Sequence, residues 1–161
     1  MVRQQLTVGE WMSSPVEVAT PDMPVADAYD TMMRRGIRRL PVVQQGRLVG
    51  IVTIGDLREA RPSPATSLSI YELNYLLARL TVGQVMTHSP YTVRPTTSIE
   101  EAARIMLVRK VSGVPVVNDE GTVAGVITES DIFRMLIDQW DHLASERVMP
   151  GLASVAVATA N

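Results

Sequence analysis

The stretch Gly50-Ile51-Val52-Thr53-Ile54-Gly55-Asp56 returns as Gly125-Val126-Ile127-Thr128-Glu129-Ser130-Asp131, and this duplication limits the fold more than any other feature. Thr7-Val8-Gly9 returns as Thr81-Val82-Gly83, Met12 as Met86, and Pro41-Val42-Val43 as Pro115-Val116-Val117. The offset lengthens by one residue where Gln44-Gln45-Gly46 becomes Asn118-Asp119-Glu120-Gly121. An insertion in a Gly-bearing turn is what a true duplication tolerates. A long period present twice means two pseudo-symmetric units rather than a solenoid.

Each copy carries the same order, β-α-β-β-α. An extended piece (Val16–Ala19; Tyr91–Val93) precedes a helix. The helices bear apolar stripes at Val25, Ala28, Tyr29, Met32 and Met33, and at Ile99, Ala102, Ala103, Met106 and Leu107. Leu40–Val43 with Leu48–Thr53, and Val114–Val117 with Val123–Thr128, read as hairpins. A last helix starts after each Thr. The fold class is α/β (α+β), two such units packed together with a connecting helix between them. The expected division is residues 7–60, a first unit; 61–80, a Pro-containing linker and helix; 81–143, a second unit; and 144–161, a loose tail. A unit of roughly 55 residues is marginal alone. The two are therefore expected to share one core, which a hydrophobic content of 46% can fill.

Between the copies, Arg61–Thr66 reads as linker, and Ser69–Leu80 as a helix with Ile70, Leu73, Leu77 and Leu80 on one face and Ser69/Glu72 as a capping box. Ser98 and Glu101 form another. After Asp131, the apolar face of Ile132, Phe133, Leu136, Ile137 and Trp140 is broad enough to cover the module or a second subunit.

The duplicated stretch is an apolar strand opening into a helix, where free N–H groups, a hydroxyl and a carboxylate meet. Thr53/Asp56 and Thr128/Asp131 are either capping boxes or ligand contacts. Net charge is -2 with mixed signs, which points to neither a nucleic-acid nor a membrane partner. Cysteine is absent, which removes thiolate zinc and thiol catalysis and fits a cytoplasmic location. Met1–Leu6 lacks the apolar run of a signal peptide. His88 and His142 are isolated, so no metal site is expected. No phosphate-binding Gly-Lys loop and no acyl-transfer triad stands out, so the chain does not read as an enzyme.

The Pro-Val-Val strands, the Gly-x-x-Thr-x-x-Asp motifs and the Thr-Val-Gly-x-x-Met segments together resemble a CBS-domain pair (a Bateman module) over about residues 7–142, similar to free-standing bacterial CBS proteins, some likened to acetoin-utilisation proteins. The resemblance implies a regulatory module for adenosyl ligands (AMP, ADP or ATP) that requires no cofactor. Asp56 and Asp131 would take ribose hydroxyls, with Thr53 and Thr128 beside them. Adenine would lie near Val18, Ala19, Thr20 and Ile37 in one copy, and near Val93, Arg94 and Val111 in the other. Phosphates would gather at Arg38 and Arg39, in a segment similar to that of the kinase regulatory gamma subunits. The second copy has Ser112 and Gly113 there, with Arg134 as its substitute cation, so two unequal sites are expected. One ligand between the copies would bridge both Asp-bearing helix ends and the Arg pair. The resemblance also implies a homodimer, a flat disc of four CBS units, read by a second chain or an unidentified downstream protein. Two alternatives stand beside it: a ligand-free interaction or dimerisation module, and a sensor of S-adenosylmethionine or a dinucleotide.

Overall fold

The computed structural model describes residues 6–60 and 69–148. The linker Arg61–Thr66 and the tail from residue 149 lie outside them. The first copy contains α1 (Val8–Trp11), α2 (Val25–Arg35), β1 (Arg39–Gln44), β2 (Arg47–Thr53) and α3 (Ile54–Glu59). The connecting helix is α4 (Ile70–Arg79). The second copy contains α5 (Val82–Val85), β3 (Thr87–His88), α6 (Ile99–Arg109), β4 (Gly113–Val117), β5 (Val123–Thr128) and α7 (Glu129–Val148). Helix α7 thus continues past 143, the expected end of the second unit, into the segment read as tail.

Both hairpins form within a residue of the predicted bounds. Strand β1 pairs antiparallel with β2, placing Arg39 opposite Thr53, and β4 with β5, placing Gly113 opposite Thr128. The pieces expected as first strands shrink to single parallel bridges, Ala19 to Val42 and Val93 to Val116. On α2 and α6 the stripe holds for Val25, Ala28, Met32 and for Ile99, Ala102, Met106, which are buried. Its last positions, Met33 and Leu107, are exposed. Ser69 and Glu72 exchange the expected capping bonds at α4. The side chains of Ile70, Leu73 and Leu77 lie outside the described set.

Two buried clusters form rather than the one shared core expected. One gathers Ala19, Val25, Ala28, Met32, Leu40, Val42, Val52, Leu57 and Val82; the other gathers Val8, Val93, Ile99, Ala102, Met106, Val114, Val116, Ile127 and Met135. Each hairpin is backed by its own helices, so each can exclude water separately. The copies are joined by exchanging their lead-ins. Val8 of the first copy is buried in the second cluster, and Val82 of the second copy in the first. Gly9 N–H donates to Pro95 O and Gly83 N–H to Pro21 O, each at 2.8 Å. Residues Thr87 and His88 pair with β2, as Ser13 does with β5. This explains the first glycine of the duplicated stretch. A Cβ on Gly125 would lie 2.7 Å from Ser13 O and 2.6 Å from Met12 Sδ, and one on Gly50 would meet Thr87 O and Met86 Sδ likewise. Close approach of the exchanged lead-in needs the missing side chain. No described helix is long and apolar enough to cross a membrane.

Candidate ligand clefts between the copies

Each Thr-x-x-Asp motif sits where the second strand of a hairpin turns into a helix, and each makes capping bonds there. Thr53 donates its N–H and its hydroxyl to Asp56 Oδ2, both at 2.7 Å, and Asp56 N–H returns to Thr53 Oγ1 at 3.3 Å. Thr128 donates N–H and hydroxyl to Asp131 Oδ2 at 2.8 Å. Asp131 is 2% exposed, the one buried charged residue among the described residues, and its Oδ1 takes Arg134 Nη2 at 3.1 Å. A buried carboxylate persists where such donors and a cation meet it. The capping reading of the motif is therefore realised in the fold.

The exchange of lead-ins opens two clefts, each walled by both copies. The first, of about 610 Å³, takes Val16, Glu17, Arg35, Ile37, Arg38 and Arg39 from the first copy and Thr128, Asp131 and Arg134 from the second. The second, of about 560 Å³, takes Tyr91, Lys110, Val111 and Ser112 from the second copy and Thr53, Asp56 and Arg39 from the first. The two motifs are thus divided between clefts. Asp56 does not share a cleft with Arg38, and Arg134 joins Arg38 and Arg39 instead of standing in for them beside Ser112. One ligand bridging both Asp-bearing helix ends, as the sequence reading had it, would have to span both clefts.

Of the remaining expected residues, Ile37, Val111 and Ser112 line clefts. Val18 and Thr20 line neither; Val18 is exposed, and the Thr20 hydroxyl serves the Asp22 carboxylate, holding it below its usual range. Ala19 and Val93 are buried in the two clusters, and Arg94 pairs with Asp119 in the second hairpin's turn. The walls are instead built two residues earlier, at Glu17 and its repeat mate Tyr91. Arg35 holds Glu17 by an ion pair at 2.8 Å, and Arg109, the mate of Arg35, lies 4.6 Å above the Tyr91 ring. Sequence reasoning missed both pairs and Lys110. The signal was present, since Arg35 and Arg109 match in the repeat, but a bridge of one residue gives no alternation to mark the inward side.

Arg39 is the most desolvated cation of the site. Burial first, then the Arg38 charge, pulls its pKa down from the ordinary arginine value, while Glu129 and Asp131 pull it back. Its Nη2 donates to Ser112 Oγ at 2.8 Å. Among the described residues no cluster of three metal-ligating side chains occurs, and no buried side-chain polar atom lacks a partner.

The chain is similar to known proteins over most of its length. The family model for the CBS domain matches twice, at residues 8–63 and 82–138. An uncharacterised protein of Methanocaldococcus jannaschii is 30% identical over 128 residues, covering 79% of this chain and 46% of that protein, so the chain spans about half of it. The structure of Arabidopsis thaliana CBSX2 in complex with AMP has a TM-score of 0.68 at 32% identity, covering 83% of this chain and 97% of that one. The CBS pair of protein MJ0100, in complex with 5′-methylthioadenosine and S-adenosyl-L-methionine, has a TM-score of 0.70 at 27% identity, covering 84% and 98%. The exchanged lead-ins, the duplicated hairpins and the double family match place this chain in the CBS-domain family, as a CBS pair.

Proposed function

We propose that the chain is a regulatory module that binds a phosphorylated adenosine (AMP, ADP or ATP), without catalysis and without a required cofactor. The observation that carries this reading is the first cleft, where Arg38, Arg39 and Arg134 face Thr128 and Asp131 in about 610 Å³. Guanidinium forks match phosphate oxygens in geometry and charge. A volume of this size suits a nucleotide-sized ligand. A carboxylate accepts both hydrogens of a ribose diol. A diol that takes Asp131 Oδ1 releases Arg134 toward the phosphates, so sugar and phosphate recognition are linked in one exchange. The AMP complex of the Arabidopsis relative supports a phosphorylated ligand.

The S-adenosylmethionine complex of the other relative keeps a sulfonium ligand as the competing reading. Four arginines in one cleft, of which Arg35 is paired with Glu17, weigh against a cation there. The readout we propose is a second copy of the chain, in the cytoplasm, whose geometry shifts with occupancy. Phe133, Ile137 and Trp140 share one exposed side of α7, at 63%, 55% and 62%, and would be covered by it.

Calorimetric titration of nucleotide-stripped protein tests the reading. AMP, ADP or ATP should bind saturably and more tightly than adenosine, S-adenosylmethionine or NAD. A folded protein silent to the whole panel would leave the ligand-free interaction module as the better account.

A further inference from the structure

Among the described residues, Arg39 lines both clefts and no other residue does. It stands at the start of β1, and its repeat mate is Gly113, at the start of β4. The two positions are equivalent in register, Arg39 opposite Thr53 and Gly113 opposite Thr128. A Cβ on Gly113 would overlap the Arg39 guanidinium, which lies across the second copy and bonds Ser112 Oγ at 2.8 Å. The space between the mates therefore holds one long side chain, not two. The duplication is broken here: one copy supplies the arginine, and the glycine of the other leaves the room in which its guanidinium lies. The cation also feels both sides, with Glu129 and Asp131 across from it and Ser112 holding it in the second cleft's wall.

We propose that Arg39 couples the two clefts as a shared counter-ion, so that an anionic ligand engaging it from one cleft lowers the other's affinity for an anionic ligand. The inference rests on the phosphorylated-adenosine reading above and adds anticooperativity to it. A single partly buried guanidinium can be neutralised once, and the second anion then meets a spent cation and a nearby like charge. A neutral nucleoside meets no such penalty.

The test is calorimetry with AMP, and with adenosine as the neutral probe. It uses the intact chain, Ser13→Trp and His88→Trp (exposed residues, one in each cleft wall, each substitution placed to obstruct one cleft, which the loss of one AMP site verifies), and Arg39→Gln and Arg39→Lys, each combined with those blocks. In the intact chain the weaker AMP site should bind at least about fivefold less tightly than the same cleft does when the other is blocked, the low end of ordinary coupling between sites. Adenosine should show a ratio near one. Arg39→Gln should shrink the AMP ratio, and Arg39→Lys, which keeps the charge without the fork, should retain part of it. Melting curves verify that each variant is folded. Equal AMP affinity with the other cleft open or blocked overturns the coupling alone, as does a ratio unchanged in Arg39→Gln. Absence of AMP binding from every folded variant overturns the phosphorylated-adenosine reading together with it.

Discussion

The two clefts are the same construction executed with different side chains. Both join a Thr-x-x-Asp helix start from one copy to a helix end and a lead-in from the other. In the first, the helix end is Gly36, followed by Ile37 and Arg38, and the lead-in residue is Glu17 held by Arg35. In the second, the corresponding residues are Lys110, Val111 and Ser112, and Tyr91 lies under Arg109. The first cleft therefore concentrates guanidinium groups around a buried Asp131. The second presents an aromatic face and an ammonium around a half-buried Asp56. A duplicated fold thus keeps its backbone geometry while diverging in the side chains that line its clefts, and Arg39 is the residue the two clefts share.

The largest expected effect comes from stripping the charge that separates the clefts. Arg38→Ala combined with Arg134→Ala should lower ATP affinity in the first cleft by at least about 100-fold, at 1.5–3 kcal/mol for each charged hydrogen bond. The second cleft should be unaffected; isothermal titration in the His88→Trp background reads the first cleft and in the Ser13→Trp background the second. Parallel losses in both clefts would remove the distinction.

Next are the two carboxylates. Asp131→Ala should cost the ligand-free protein about 1–3 kcal/mol, because it removes a buried cap and the partner of Arg134. Asp56→Ala should cost about 1 kcal/mol, as an ordinary cap. Urea melts check the order. Equal costs would mean that the difference in burial carries no energetic weight.

A smaller effect distinguishes the helix ends. Lys110 is left-handed at φ 55, where its mate Gly36 has φ 64. A side chain there costs about 1 kcal/mol. Lys110→Gly should return roughly that much stability while weakening nucleotide binding in the second cleft, as paired thermal melts and titrations would read. A variant that is more stable yet binds equally well would take Lys110 out of ligand recognition.

The smallest effect lies in the lead-ins. Glu10 caps Thr7, and its mate Gln84 caps Thr81. The Thr7 backbone N–H, then its hydroxyl, hold Glu10 below the usual glutamate range. A carboxyl with a lowered folded-state pKa stabilises above its unfolded value and loses that contribution as pH falls through the folded one. Glu10→Gln should therefore flatten the acid limb of the stability profile slightly, whereas Gln84→Glu should steepen it. Identical acid limbs in all three proteins would contradict this.

Much of the fold was legible because it is local. The hairpins are β-branched runs joined by Gly turns, helices repeat at 3.6 residues, and Thr53/Asp56 sit at capping distance, so position and neighbour coincide in the chain. The exchange of lead-ins was not legible. Thr-Val-Gly-x-x-Met is a single turn with no periodicity, and nothing in it says whether Val8 enters the near cluster or the far one. That one ambiguity led to one ligand being expected across both Asp-bearing helix ends and the Arg pair, and to Arg134 being assigned beside Ser112, whereas the clefts separate Asp56 from Arg38 and place Arg134 with Arg38. Gly113, read only as a missing charge, was also a glycine at the repeat position of Arg39 and so marked the room which that side chain occupies.

The most direct test of the central claim, that two unequal clefts divide the motifs and the first takes the phosphates, is a crystal structure of the protein grown with ADP. The account predicts ribose at Asp131 and phosphate density between Arg38, Arg39 and Arg134. Phosphates seated only beside Lys110 and Ser112, or one ligand reaching both Asp56 and Asp131, would contradict it.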